Sequence, residues 1–164
     1  MHDRVKVRES EMKLLIDEVC SKEYLKTLGF SDRACLDTSK LVMAGHSMGG
    51  ATALRVGHSD PRVSCVLTHD PWLFPVHKEI EEGSLNGFKD KFMFVLNSYS
   101  FLGFMKGFDG PKIHNTLISS LESSKIEDIV INHCHHFHQN DTVGLNPFET
   151  EQSQLLRLSI PRTN

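Results

Sequence analysis

The chain has 164 residues, of which 39% are hydrophobic and 24% charged, values ordinary for one globular domain with a core and unlike a disordered chain. A net charge of −3 without Lys/Arg runs argues against a nucleic-acid partner, and no run of 18 apolar residues is present to cross a membrane. The opening Met1-His2-Asp3-Arg4-Val5-Lys6 lacks the apolar core of a secretory signal, so a cytoplasmic chain is expected.

In chain order, Val5, Met12, Leu15, Ile16 and Val19 recur near every 3.6 residues, which predicts an amphipathic helix over 4–20. The polar stretch 21–39 reads as a connecting loop with room for a short helix. Lys40-Leu41-Val42-Met43-Ala44 opens a buried strand over 40–46, followed by a helix over 49–58. Val63 to Thr68 is a second strand, ending at His69-Asp70-Pro71, and 75–90 reads as a loop or broken helix. Lys91 to Leu96 is a third strand, closed by Asn97-Ser98. A glycine-rich stretch from Gly103 to Gly110 then leads to Pro111, a favoured first residue for a helix over 111–123. Ile126 to Ile131 is a fourth strand, and Phe148 to Leu158 a closing helix. Strands alternating with helices predict a mostly parallel sheet, covered on both faces, in a single domain over 1–164.

Gly45-His46-Ser47-Met48-Gly49 lies between the first strand and its helix. Strand, G-x-S-x-G and helix together form a nucleophile elbow, in which a sharp turn lifts the serine hydroxyl above the sheet. The next backbone N–H, that of Met48, then points at the developing oxyanion. Glycines two before and two after the serine are expected where any Cβ would clash.

A serine needs a positioned base, and the base an orienting carboxylate. Asp70 fits the carboxylate because it ends the strand after the elbow helix, where open α/β sheets form their crevice. Asp109, Asp128 and Asp141 are its rivals. The base is expected after the last strand, where His133, His135, His136 and His138 cluster, and residue pattern alone does not choose among them. His-x-His spacing there also suits a metal, but the cluster lacks a carboxylate and a clear third ligand, so no metal or cofactor is expected. Cys20, Cys35, Cys65 and Cys134 form no C-x-x-C pair and read as reduced thiols.

Four stretches resemble the platelet-activating factor acetylhydrolase family, the plasma and type II intracellular lipases of the α/β-hydrolase fold. They are Gly45 to Thr52, Asp70-Pro71-Trp72-Leu73-Phe74-Pro75, Phe92 to Ser98, and His138-Gln139-Asn140, and the likeness runs over about residues 4–141. The elbow differs in carrying Met48 where Phe usually follows the serine. This leaves a main-chain donor intact. The resemblance implies a triad of Ser47, Asp70 and His138, half an oxyanion hole at Met48, and an acyl pocket helped by Trp72, Leu73 and Phe74. It also implies calcium-independent hydrolysis of an sn-2 acetyl or short acyl ester of a glycerophospholipid, with peripheral contact to lipid surfaces.

Only 46 residues precede Ser47, whereas the family has several strands before its elbow. The expected architecture is therefore a partial α/β-hydrolase fold with a sheet of about four strands flanked by helices. It would lack the loop that gives the second oxyanion donor, a loss worth ~10²–10³ in rate. Two other functions compete: a general carboxylesterase resembling dienelactone hydrolase, and a catalytically dead hydrolase domain that serves as an interaction module.

Overall fold

The first helix buries a charged residue on its inner face. In a computed structural model describing residues 2–85, 88, 90–104, 109–121 and 125–139, α1 (His2–Val19) turns Val5, Glu9, Met12 and Ile16 inward. Leu15, expected on that face, is 44% exposed. α2 (Lys22–Thr27) follows inside the polar connection, its first turn capped by Ser21 Oγ accepting the Tyr24 N–H at 3.1 Å.

β1 (Leu41–His46), α3 (Met48–Ser59), β2 (Val63–His69), a 3-10 turn at Phe74–Val76, α4 (His77–Glu81) and β3 (Phe92–Ser98) come next. After them lie α5 (Tyr99–Phe104), α6 (Gly110–Ser119), β4 (Ile126–Ile131) and a 3-10 turn at His136–Gln139. The strands form one parallel sheet in the order β1-β2-β3-β4. The fold is thus a partial α/β fold with helices flanking a parallel sheet, as the strand and helix pattern predicts. The helix expected at 148–158 lies outside the described residues.

Strand order also dictates where the helices pack. Crossovers between parallel strands are almost always right-handed, so strands added in one direction send successive helices to one face. α3 packs on β1 and β2, and Ile113 and Leu117 of α6 join the core of Met43, Val66, Met93 and Val95. On the other face Val42 and Phe92, in register through Cys65, and Ile129, in register with Leu96, are 60%, 57% and 43% exposed. The expectation of a sheet covered on both faces is therefore corrected: among the described residues, only one face is. Strands that alternate with helices require crossovers, but they do not say on which face each crossover lands.

α5 is a second departure. The sequence closes its third strand at Asn97-Ser98, where β3 ends, and offers a glycine-rich stretch from Gly103, whereas Tyr99–Phe104 is helical. Among the described residues, no helix is long and apolar enough to cross a membrane.

The charge buried under α1 is compensated by donors from α3 and from α1 itself. Arg55 Nε on α3 donates to Glu9 Oε2 at 2.7 Å, and its Nη1 donates to Glu79 Oε1 on α4. Lys13 Nζ and Ser59 Oγ donate to Glu9 Oε1 at 2.8 and 2.6 Å. Burial pushes the Glu9 carboxyl up, but bonds from Lys13, Ser59 and Arg55 outweigh it and hold the group at about 2 against an ordinary 4.5. A depressed carboxyl stabilises the fold above its unfolded pKa, and that contribution is lost as pH falls through the folded one. The melting temperature should therefore fall from about pH 4.5 toward 2, less steeply in Glu9→Gln. Arg55→Ala, which takes a donor from the buried Glu9 and another from the half-buried Glu79, should lose ~1–3 kcal/mol in urea unfolding at neutral pH.

Candidate active site

β1 delivers Ser47 into a turn that few L-residues tolerate. Its backbone sits at φ 57°, ψ −121°, and a non-glycine residue held at positive φ stores ~1–3 kcal/mol of strain. Serine is a preferred helix cap, yet here the Ser47 side chain makes no capping bond to α3. Its main chain holds the turn instead: the Ser47 N–H donates to His69 O at 3.0 Å, and Ser47 O accepts from Gly50 N at 3.0 Å and Trp72 N at 2.9 Å. Met48 begins α3, so its N–H has no acceptor within the helix and remains available to an anion.

The glycines divide their roles differently from the expectation. A Cβ on Gly45 would overlap the Gly49 carbonyl and lie 2.7 Å from Gly50 N. One on Gly50 would lie 2.8 Å from Pro71 Cα. Gly49 has open space where its Cβ would stand. The tight packing is therefore at Gly45 and Gly50, because the helix passes closest to the 70–72 segment one residue later than the motif suggests.

Asp70 follows β2 with its backbone at φ 41° and its side chain fully buried. Its Oδ1 accepts the Ser98 N–H at 2.5 Å, and its Oδ2 accepts the Ser98 hydroxyl. His136 Nδ1 meets Oδ2 at 3.2 Å. Burial pushes the Asp70 carboxyl up, but the bonds from His136 and Ser98 outweigh it and leave the group below its ordinary value. Asp70 is therefore ionised at neutral pH.

The histidine brought to Asp70 is His136, whereas the family resemblance pointed to His138. The side chain of His138 lies outside the described residues. The His136 ring is sandwiched between Phe101 of α5, stacked at 4.2 Å and 10°, and His46, at 4.3 Å and 33°. His46 Nε2 also bonds His136 O at 3.1 Å, and Ser100 Oγ donates to Cys134 O at 3.2 Å. The loop after β4 is thus pinned by the residue preceding Ser47 and by α5. His133 turns at φ 57° to begin that loop.

Ser98 and His46 could be sought from sequence only as neighbours of named motifs, and Phe101 stood in a segment not read as helix. Among the rivals of Asp70, Asp128 is held by His114 Nε2 at 3.0 Å and Asn97 Nδ2 at 3.3 Å on the covered face. Asp109 is exposed before α6, and Asp141 lies outside the described residues.

The three residues expected in an acyl pocket separate. Leu73 is fully buried in the core, so the expectation that it lines a pocket is corrected: a side chain packed on every side has no surface to offer a ligand. Trp72 stacks on Phe74 at 6.1 Å, and Phe74 on His77 at 5.6 Å, both at 19°. This ladder leads from the Ser47 turn to a cleft of about 520 Å³ lined by Phe74, His77, His2 and Lys78.

The profile of the family described as platelet-activating factor acetylhydrolase, isoform II, matches residues 15–143. The chain belongs to that family. Platelet-activating factor acetylhydrolase of Cavia porcellus is 42% identical over 48 residues, which are 29% of this chain and 11% of that protein. The Bos taurus protein of the same name is 40% identical over 45 residues, 27% of this chain and 10% of the relative. Each aligned stretch thus spans about a tenth of the curated relative.

Ser98 is the hinge of the carboxylate's hydrogen bonding. Ser98→Ala removes the hydroxyl donor but keeps the N–H, so the Asp70 carboxyl should protonate at higher pH than in the parent chain. Carboxyl-carbon NMR of Asp70 across an acid titration checks this, and an unmoved midpoint would contradict the role given to the hydroxyl.

Proposed function

We propose that the chain is a serine esterase acting on the sn-2 acetyl or short acyl ester of glycerophospholipids. Ser47 is the nucleophile, His136 the base and Asp70 the group that orients it. The observation carrying this reading is the Asp70–His136 pair packed against His46, the residue preceding a strained serine at a strand-to-helix turn. Family membership supports the substrate class.

Each step follows from these positions. Ser47 Oγ bonds to the ester carbonyl carbon while His136 takes its proton, and Asp70 stabilises the resulting imidazolium. The oxyanion accepts from the Met48 N–H. The C–O bond to the lysophospholipid then breaks, and His136 returns the proton to the departing oxygen. Water, deprotonated by His136, cleaves acyl-Ser47 and restores the site. The half-buried ring of Trp72, whose backbone N–H bonds the Ser47 carbonyl, and the exposed ring of Phe74 supply apolar surface for an ester's organic portion or a lipid interface.

Hydrolysis of p-nitrophenyl acetate and labelling by a fluorophosphonate test the roles separately. Ser47→Ala should abolish both, and His136→Gln should lower hydrolysis by ~10⁴-fold or more while His138→Gln costs only a few-fold. The reverse ranking would return the base to His138. A wild-type chain that neither hydrolyses nor labels would remove the esterase reading. Phe74→Ala should raise KM for a hydrophobic ester about 3–10-fold with kcat little changed.

A further inference from the structure

The residue between Gly45 and Ser47 gives the site something that a base and its carboxylate do not have alone. The ligating atoms of His46, Asp70 and His136, one from each, all lie within 4.8 Å of one another. We propose that these three side chains form a binding site for a zinc-class divalent cation, and that the cation inhibits the serine chemistry.

The donor chemistry selects the ion. Two imidazoles and one carboxylate suit zinc and its transition-metal neighbours, whereas magnesium and calcium prefer oxygen ligands. His136 Nδ1 and Asp70 Oδ2 stand 3.2 Å apart, about the ligand-to-ligand edge of a tetrahedron with bonds of ~2.0–2.2 Å. The proton shared by this pair and the metal ion would therefore occupy the same gap. His46 completes three protein ligands after exchanging its bond to His136 O for the metal. The remaining position takes water, as in open zinc sites.

The surroundings favour a cation there. Asp70 carries a fully buried negative charge, and Ser98 on the neighbouring strand holds its carboxylate in a fixed orientation, as a partner behind a metal ligand does. His46 and His136 are held by stacking and by a hydrogen bond, so little side-chain freedom is lost on binding. The histidine pairs His133/His135 and His136/His138 do not enter the argument: no carboxylate joins His133 or His135 in such a group among the described residues.

Binding replaces the Asp70–His136 hydrogen bond by two metal bonds and occupies the imidazole that would receive the Ser47 proton. Inhibition rests on the esterase reading above. Binding does not.

Calorimetric titration of the metal-free full chain with zinc chloride should give one equivalent bound, with affinity at least about tenfold weaker in His46→Gln and unchanged in His135→Gln. Cobalt(II) added to the unmutated chain should give the visible absorption of a four-coordinate nitrogen–oxygen site, a readout independent of whether a variant folds. Magnesium binding as tightly as zinc, zinc affinity untouched by His46→Gln, or a six-coordinate cobalt spectrum would overturn the site. In the second arm, zinc should slow fluorophosphonate labelling of Ser47 and a chelator should restore it. One equivalent of zinc bound with labelling unslowed would overturn the inhibition. Absence of labelling without zinc would count against the esterase reading, while the titration still decides the site.

Discussion

A carboxylate with no exposure to water lies where three strands end. An isolated buried charge costs several kcal/mol, so Asp70 is tolerable only if neighbouring elements bring it donors. Ser98 at the end of β3 supplies two, and His136 after β4 supplies the third. The satisfaction of this one charge fixes the relative positions of β2, β3 and the loop beyond β4. The alignment of His136 is then a by-product of solvating Asp70. Phe101 and His46 restrict the ring from its two faces, so the imidazole has a defined plane as well as a defined partner.

Parallel strands put every carboxyl end on one edge of the sheet, and that edge is where open α/β folds form their crevice. His46, His69 and Ser98 all end their strands there on the face away from α3 and α6. The same strand order that stacks the helices on the far side leaves this side free for the histidine loop. Strain gathers at this edge, with Ser47, Asp70 and His133 all at positive φ. Each such residue costs ~1–3 kcal/mol and persists only when its surroundings over-determine it. The over-determination comes from the opposite half of the molecule, where Leu54, Met93, Ile113 and Leu117 are fully buried and Glu9, Arg55 and Glu79 tie α1, α3 and α4 together.

Periodicity and turn chemistry carried most of the backbone. The strand at 40–46, the elbow, Val63 to Thr68, Lys91 to Leu96 and Ile126 to Ile131 were legible because buried parallel strands are short apolar runs bounded by breakers. α5 was not, since Tyr99-Ser100-Phe101-Leu102-Gly103-Phe104 is only six residues long and contains a glycine. In the site, the placing of Ser47 on the turn and of Asp70 at the end of its strand was legible from position along the chain. Residue pattern did not choose among the four histidines that share one loop, because the choice needs the path of that loop in space. That path includes a left-handed turn at His133, at φ 57°, a conformation uncommon for any residue but glycine and not announced by a turn motif around it. Glu9 was hidden for a related reason: a charge on an apolar stripe reads as an interruption until Arg55 from α3 is placed opposite it.

His46 shows how the site limits its own charge. Burial and the nearby His136 push its imidazole below the ordinary value, so it is neutral at physiological pH. This matters for the proposed reaction, in which His136 becomes a cation for the life of each tetrahedral intermediate. Two unit charges about 4 Å apart repel by ~4 kcal/mol at an effective dielectric of 20. With the rings 4.3 Å apart, a protonated His46 would oppose the step that the Asp70 carboxylate assists. The stacked histidine therefore works only as a neutral wall with one nitrogen bonded to the His136 carbonyl and the other free of charge. A residue of the same size with a permanent cation could fill the space but would raise the barrier, and an aliphatic one would release the loop. Imidazole at this position combines a flat face, a hydrogen bond and neutrality, which are the three properties that the adjoining base requires of its neighbour.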